Sequence, residues 1–317
     1  MITPSFPPAI FLMGPTASGK TDLAIEIAQQ FPVELISVDS SQVYRGMNIG
    51  TAKPPAAVLA QYPHHLIDIR DPEDPYSAAD FCADALALMG DMTSRGRVPL
   101  LVGGTMFYFH ALEFGLSKLP QADNETRQRL SEEAAQLGWP AMHERLSESD
   151  PEMGRRLNPN DSQRIQRALE LLEITGRPPS EVMAETEAEP CPYALAKIAI
   201  VPEDRKLLHT RIEARFRKMI EDGLVEEMQA LLKRGGLSPQ LPSMRMVGYR
   251  QVWDYLQGNT GKEEMIDRGI AATRQLAKRQ LTWLRSYPGV RFFNSEDTGL
   301  KTSVFRYLSE KLRYTFG

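Results

Sequence analysis

An α/β architecture, a doubly wound parallel sheet interrupted by a helical insertion domain, is what three observations in this 317-residue sequence predict. Short apolar runs recur at strand length. Stretches of helical period lie between them. From about Asp123 the strand signals stop, and they return only near Lys197.

The elements follow in order. Ala9 to Met13 is a short apolar run with prolines before it and Gly14 after it, the pattern of a buried strand. A helix follows on Leu23, Ile25, Ile27 and Ala28 and closes near Phe31-Pro32, where proline ends it. Val33–Val38 is a second strand, so the chain opens with a β-α-β unit whose strands run parallel. Leu66-Ile67-Asp68-Ile69 reads as a third strand, Ala78–Arg95 as a helix, and Val98–Val102 before Gly103-Gly104 as another buried strand. Amphipathic helices are expected over Arg127–Leu137, Ala141–Leu146 and Gln163–Ile174, before a loop rich in Pro and Glu. Lys197–Val201 returns as a strand, followed by helices over Lys206–Asp222, Leu224–Arg234 and Lys262–Trp283. The expected domains are a core over 1–122, the insertion over 123–196, and a second core part over 197–317.

Composition narrows the classes. The chain carries 37 Lys+Arg against 41 Asp+Glu, a net charge of −4, with 42% hydrophobic residues, which excludes wholesale disorder. No apolar stretch approaches the ~18 residues that would span a bilayer. Met1-Ile2-Thr3-Pro4 has no basic leader character, so a cytoplasmic protein without a membrane partner is expected. Cys82 and Cys191 are the only cysteines and lie far apart, so neither a disulfide framework nor a CxxC metal site is suggested.

Gly14-Pro15-Thr16-Ala17-Ser18-Gly19-Lys20-Thr21 matches G-x-x-x-x-G-K-[ST] between a strand and a helix, the position this phosphate loop requires. The glycines let backbone N–H groups face an anion, the helix N-terminus adds its dipole, Lys20 a point charge, and Thr21 a hydroxyl for Mg²⁺. The fold is therefore of P-loop type. The motif specifies a di- or triphosphate and leaves open what is attached to it.

Asp39 follows the second strand and Thr105 follows Gly103-Gly104, which brings both to the carboxyl edge of the sheet beside the loop. Asp39 can hold Mg²⁺, as in a nucleoside triphosphatase, accept a proton from a nucleophile, or cap a helix. Thr105 is equally suited to a turn.

Charge is unevenly distributed. From Arg268 to Arg291 there are six basic residues and no acidic one, and Arg274, Lys278 and Arg285 share a helical face opposite Leu276, Ala277, Trp283 and Leu284. Such a face suits a phosphate backbone. Arg245 and Arg250 extend it, and Gln163-Arg164-Ile165-Gln166-Arg167 adds cations flanked by amides that can reach base edges. Arg127 and Arg215 are suited to bidentate phosphate contact, but Glu125 and Glu213 beside them make surface ion pairs the default.

Gly14–Thr21, Ile36-Ser37-Val38-Asp39-Ser40, Gly50-Thr51-Ala52-Lys53-Pro54, Leu101–Thr105, Val247-Gly248-Tyr249-Arg250 and Thr273–Gln280 together resemble the bacterial tRNA dimethylallyltransferase (tRNA isopentenyltransferase) family, in that family's order and over nearly the whole chain. The resemblance implies a prenyltransferase using Mg²⁺ that moves a dimethylallyl group from dimethylallyl diphosphate to N6 of adenosine 37, in tRNAs reading codons that begin with U. It implies Asp39 as the base on N6 with Thr105 assisting, and Lys20, Thr21 and Arg215 gripping the diphosphate with Mg²⁺. It implies an anticodon stem-loop held by Arg127, by Asp39, Ser40, Ser41 and Gln42, and by Gln163, Arg164, Ile165, Gln166 and Arg167. Arg245, Gly248, Tyr249 and Arg250, with Thr105 and with Lys278, Arg279, Gln280, Trp283 and Arg285, would complete that grip. Ser41-Gln42 lies in a segment that varies in the family. Longer eukaryotic relatives carry a zinc finger for which two cysteines do not suffice, so the grip is expected to rest on core and insertion, in a monomer.

Three other readings compete. An ATP-dependent phosphoryl transferase or ATPase explains the loop and Asp39 but not the basic helix. Prenyl transfer to a free adenine nucleotide would not require the insertion. A non-enzymatic RNA-binding module leaves the loop and Asp39 without purpose.

Overall fold

Alternating apolar runs and amphipathic helices place the larger part of the chain in a parallel sheet covered by helices. The computed structural model describes residues 6–117, 119–120, 123–185 and 189–313, so Met1-Ile2-Thr3-Pro4, the expected boundary residue 122, and 186–188 of the Pro/Glu-rich loop lie outside the described residues. The order is β1 (Pro8–Met13), α1 (Lys20–Gln30), β2 (Val33–Val38), α2 (Ala56–Gln61), β3 (His64–His65), α3 (Ala78–Ser94), β4 (Val98–Gly103) and α4 (Met106–Phe114). Helices α5 (Asn124–Leu137), α6 (Trp139–Ser149), α7 (Pro151–Arg156), α8 (Ser162–Thr175) and α9 (Pro179–Ala184) come next. The chain then returns with β5 (Ala194–Val201), α10 (Arg205–Glu221), α11 (Leu224–Lys233), α12 (Tyr249–Leu256), α13 (Lys262–Ser286), β6 (Arg291–Asn294) and α14 (Leu300–Arg313).

Two compact units result, Met1–Glu113 with Pro192–Gly317, and Phe114–Cys191. In the first, six parallel strands lie in the order β3-β2-β4-β1-β5-β6. Leu12 stands between Val102 and Ile198, and Ile10 between Leu100 and Ala196. These side chains join Leu23 and Ile27 of α1 and Val304 and Leu308 of α14 in one buried cluster. Each such aliphatic residue contributes roughly 1.5–3 kcal/mol through burial. The register ends Met13, Val38 and Gly103 level, so the residues that follow emerge at one edge of the sheet.

The second unit has its own core on Leu130, Met142, Leu146, Ile165 and Leu169. Asp123, Asp150 and Asp161 cap α5, α7 and α8 through bonds to Thr126 N, Met153 N and Arg164 N. In the stretch expected to be a Pro- and Glu-rich loop, Pro179 instead sits in the first turn of α9, where a missing N–H costs nothing.

The expected third strand is displaced. Pairing covers only His64–His65, while Leu66 and Asp68 take left-handed φ of 64° and 56°. The backbone there bonds instead to the loop after β2, with Asp68 N donating to Gln42 O and Ile69 N to Val43 O. The edge strand β6 lacks an apolar run, since Arg291 and Phe292 are exposed, and pairing with β5 defines it. No helix of the described residues is long and apolar enough to cross a membrane.

Candidate active site

The loop after β1 is shaped by close backbone packing. A Cβ on Gly14 would lie 2.6 Å from Ile200 O and 2.8 Å from Ser18 Oγ, so only glycine fits. Ala17 and Gly19 take left-handed φ of 62° and 88°, turning the chain into α1. Ala17 bears the strain of that conformation while packing on Leu208, Ile212 and Ala277 of α10 and α13. Pro15 is buried, and its carbonyl accepts a 2.6 Å bond from Lys20 Nζ. Burial pulls the Lys20 ammonium down from 10.5 to about 7; the Asp39 carboxylate opposes that fall and Arg215 adds to it. Ser18 is 2% exposed and its Oγ has no partner. Thr21 is exposed in the first turn of α1. A desolvated cation and an orphaned hydroxyl beside a helix N-terminus suit an anion.

Asp39, at the end of β2, accepts on Oδ1 from Ser41 N at 2.8 Å and from the Ser41 hydroxyl, which fixes the turn. Ser40 N donates to Thr105 Oγ1 at 3.0 Å and Thr105 N to Val38 O at 3.2 Å, so the ends of β2 and β4 form one unit. Gly103 permits this, since a Cβ there would sit 2.0 Å from Val38 O. Gln42 turns inward, bonding Ser37 Oγ and Thr51 O.

Two cavities meet at these residues. One, of about 280 Å³, runs along the phosphate loop past Lys20, Thr21, Lys53 and His64. The other, of about 440 Å³, is walled mainly by apolar side chains including Met106, Phe216, Met219, Leu276 and Trp283. Thr16, Asp39, Gly104, Arg215 and Gln280 line both. Arg215 of α10 reaches solvent, but desolvation at the wall lowers its pKa against the pull of Asp22. Glu213 pairs with Arg217 and Arg274 instead.

Sequence reasoning gave no role to several residues that shape these walls. The Glu227 carboxylate on α11 accepts from Asn48 N, Ile49 N and Gly50 N, and from Tyr249 Oη at 2.6 Å. It pins the loop that carries Thr51 and Ala52 into both cavities. Lys53, with its side chain 3% exposed, bonds Tyr44 O, Asn48 Oδ1 and Asp68 Oδ1. Gly50-Thr51-Ala52-Lys53-Pro54 was the only local signal; Glu227 lies far away in sequence.

Among the residues expected at an RNA surface, Arg245, Arg250, Lys278, Arg279, Trp283 and Arg285 are exposed. Arg245, Arg279 and Trp283 also line the apolar cavity. Gly248 and Tyr249 are buried, with Tyr249 closing on Glu227. Gln280 is 9% exposed and uses both ends of its amide within the protein. The expected acid-free basic face is corrected at Arg274, whose guanidinium pairs with Glu213 of α10 at 2.9 Å. The acid comes from another helix, which a one-helix projection does not contain.

In the second unit, Gln163 and Arg164 are exposed and Ile165 enters the core. Gln166 bonds Arg127 O and Ser131 Oγ. Arg127 and Arg167 both pair with Glu170, which is fully buried, rather than with the local Glu125.

Among the described residues no group of three or more His, Cys, Asp or Glu could hold a metal ion. The oxygen donors of Thr21 and Asp39 still fit Mg²⁺, which keeps most of its ligands as water and substrate phosphate.

Fold and site together define an α/β phosphate-loop protein with an apolar chamber opening beside the anion pocket. The chain belongs to the IPP transferase family, whose description matches residues 42–287, and it is a transferase. It is 58% identical over 289 residues to a tRNA dimethylallyltransferase of Thiobacillus denitrificans, covering 91% of this chain and 92% of that protein. It is 56% identical to the tRNA dimethylallyltransferase of Thioalkalivibrio sulfidiphilus, over 93% of this chain and 92% of that protein. The crystal structure of the full-length tRNA isopentenylpyrophosphate transferase from Bacillus halodurans is similar at a TM-score of 0.72 and 36% identity, over 97% of each chain. A eukaryotic dimethylallyltransferase acting on tRNA aligns at 0.77 and 25% identity, over 95% of this chain and 77% of that one.

Proposed function

We propose that this chain transfers the dimethylallyl group of dimethylallyl diphosphate to N6 of adenosine 37 in tRNAs reading codons that begin with U, giving N6-(dimethylallyl)adenosine and diphosphate. The observation that carries the reading is the meeting of a cationic anion pocket and an apolar chamber at one carboxylate, Asp39. A phosphoryl transferase has no use for so apolar a chamber, whereas an allylic diphosphate presents one end to each cavity. The relatives named above are tRNA dimethylallyltransferases, which supports the reading.

Adenine N6 is a weak nucleophile because its lone pair is delocalised into the ring, so the reaction depends on a strong electrophile. The allylic C–O bond breaks with its electron pair leaving on the diphosphate, where Lys20, Arg215 and the loop N–H groups stabilise the charge. Thr21 would help hold a Mg²⁺ ion, which would supply further neutralisation of the diphosphate. The N6 lone pair forms the new C–N bond, and the N6 proton passes to Asp39 and then to solvent. Ser41 holds the carboxylate's orientation through Oδ1, and Thr105 fixes the turn that follows it. Met106, Phe216 and Met219 exclude water that would trap the cation. The adenine must leave its stack to enter. Arg245, Arg250, Lys278, Arg279 and Arg285 supply exposed cations for the tRNA backbone. The chain acts as a monomer in the cytoplasm in this reading.

The test incubates the protein and Mg²⁺ with unmodified tRNA and either dimethylallyl diphosphate or ATP, followed by nucleoside mass spectrometry. A prenyl adduct on adenosine in the first mixture alone is expected; phosphate release from ATP with no adduct overturns the reading. Replacing Asp39 with Ala should lower turnover about 10²–10⁴-fold with tRNA affinity nearly unchanged. Wild-type turnover in that variant would remove Asp39 as the base.

A further inference from the structure

The inner face of α13 is an apolar stripe, Ile266, Ile270, Ala277 and Leu284, with one polar residue set into it, Gln280. A buried amide is costly unless every group finds a partner. Gln280 finds partners on two different strand ends. Its Oε1 accepts from Thr16 N at 2.9 Å, inside the phosphate loop after β1, and its Nε2 donates to Gly104 O at 2.9 Å, after β4.

A second observation points the same way. A Cβ on Gly104 would stand 2.4 Å from Gln280 Nε2, so the second glycine of Gly103-Gly104 makes room for this amide, while the first makes room for Val38. Gly104 leads directly into Thr105, which bonds the turn carrying Asp39. One side chain therefore ties the loop that receives the diphosphate to the segment that orients the proton acceptor.

We propose that Gln280 is a positioning residue for prenyl transfer: it holds the phosphate loop and the Gly104–Thr105 segment at the separation that brings the ionising carbon and the acceptor nitrogen into line. The inference rests on the prenyl-transfer reading for its kinetics but not for its geometry. Bond formation across a gap of ~3–3.5 Å is sensitive enough that a displacement of about 1 Å costs on the order of 10²-fold in rate. Loosening the clamp leaves each half-site able to bind its own ligand, so turnover falls and binding does not. A residue that merely touched tRNA would show the opposite split.

The experiment compares wild type with Gln280→Met, Gly104→Ala and the double variant. Gln280→Met keeps the volume and removes both bonds; Gly104→Ala leaves the amide intact and pushes it aside. Each single variant should lower kcat by about 10–100-fold with both KM values, and the affinity for inorganic diphosphate, within about threefold of wild type. The double variant should be no slower than the worse single one, because both break the same clamp. A raised KM for tRNA with kcat retained, or losses that multiply, overturns the proposal. Hydrogen exchange over Gly14–Gly19 supplies a readout that needs no activity: the Thr16 amide should exchange faster in Gln280→Met, and an unchanged rate also overturns it. Wild-type protein that yields no prenyl adduct refutes the assigned reaction instead, and the exchange result still decides the clamp. If Gln280→Met does not fold, Gly104→Ala carries the same kinetic and exchange comparisons.

Discussion

Lys20 is poised so that binding a diphosphate must also bind a proton. Its ammonium is buried against the Pro15 carbonyl, and burial lowers its pKa to about 7 against the pull of Asp39 and with the help of Arg215. A bound diphosphate brings negative charge to that ammonium and holds the proton on. The sign follows directly. Below pH 7 the site is already charged, and above it each binding event must first protonate Lys20. With a pKa of about 7 the charged fraction falls from about 0.9 at pH 6 to about 0.1 at pH 8, so the Lys20 contribution lowers affinity about tenfold, ~1.4 kcal/mol, relative to Lys20→Arg over the same range. Calorimetric titration of inorganic diphosphate at pH 8, in buffers of different ionisation enthalpy, should show about 0.9 of a proton more taken up by wild type than by Lys20→Arg, whose guanidinium stays charged. Lys20→Met should bind weakly at every pH. Equal proton uptake in wild type and Lys20→Arg would refute the reasoning, because ionisation of the diphosphate itself is common to both. The same shift acts on folding. The folded pKa lies below the unfolded value of 10.5, so the unfolded chain binds the extra proton between about pH 7 and 10.5 and Lys20 opposes folding at neutral pH. Lys20→Met should therefore raise the unfolding midpoint of the ligand-free protein while damaging the site.

Glu170, fully buried between the part-exposed Arg127 and Arg167 and accepting from Asp123 N, should cost about 1–3 kcal/mol when replaced by Ala, since the Asp123 N–H and two guanidinium groups lose an acceptor; urea unfolding of the full chain reads this, and a loss under ~0.5 kcal/mol would show that solvent replaces the carboxylate. Gly269→Ala should destabilise by about 1–3 kcal/mol, because its Cβ would lie 2.0 Å from the Phe216 ring, and Phe216→Leu should recover part of the loss; a thermal melt with no rescue would place the strain elsewhere. Lys278→Ala with Arg285→Ala should weaken tRNA binding and lower its salt slope by roughly 0.7–0.9 per lost phosphate contact. Arg274→Ala, already paired with Glu213, should leave that slope nearly unchanged.

What could be read from the sequence was what depends on neighbours along the chain. The phosphate loop is eight consecutive residues between a strand and a helix, and Asp39 and Thr105 follow strands whose parallel register brings their ends level. The readings that failed depend on partners far away. Leu66–Ile69 is a short, mostly apolar run that reads as a strand, but Asp68 and Ile69 bond to the Gln42–Val43 loop instead of a strand partner. Arg274 looks unopposed on its own helix and meets Glu213 from another. Arg127 bypasses the adjacent Glu125 for Glu170 on α8. Gln280 sits among Lys278 and Arg279 and reads as part of a basic surface, yet the helical repeat turns it inward with Ala277 and Leu284.

These distant partners share a chemistry that bears on how the site works. Glu227 holds Asn48, Ile49 and Gly50 through their backbone N–H groups, Gln280 holds Thr16 and Gly104 through backbone atoms, and Asp39 holds Ser41 the same way. Side chains from α11, α13 and β2's end thus fix main chain as well as neighbouring hydroxyls, so the walls of both cavities are held by the protein's own bonds. A reaction whose electrophile must meet a weak nucleophile before water does gains from such walls, since no reorganisation is left for the moment of ionisation. Within the phosphate loop the Ser18 hydroxyl has no partner, and burial lowers the pKa of the Lys20 ammonium to about 7. Rigidity is thereby placed around the site and electrostatic deficit inside it, and a diphosphate relieves that deficit on binding.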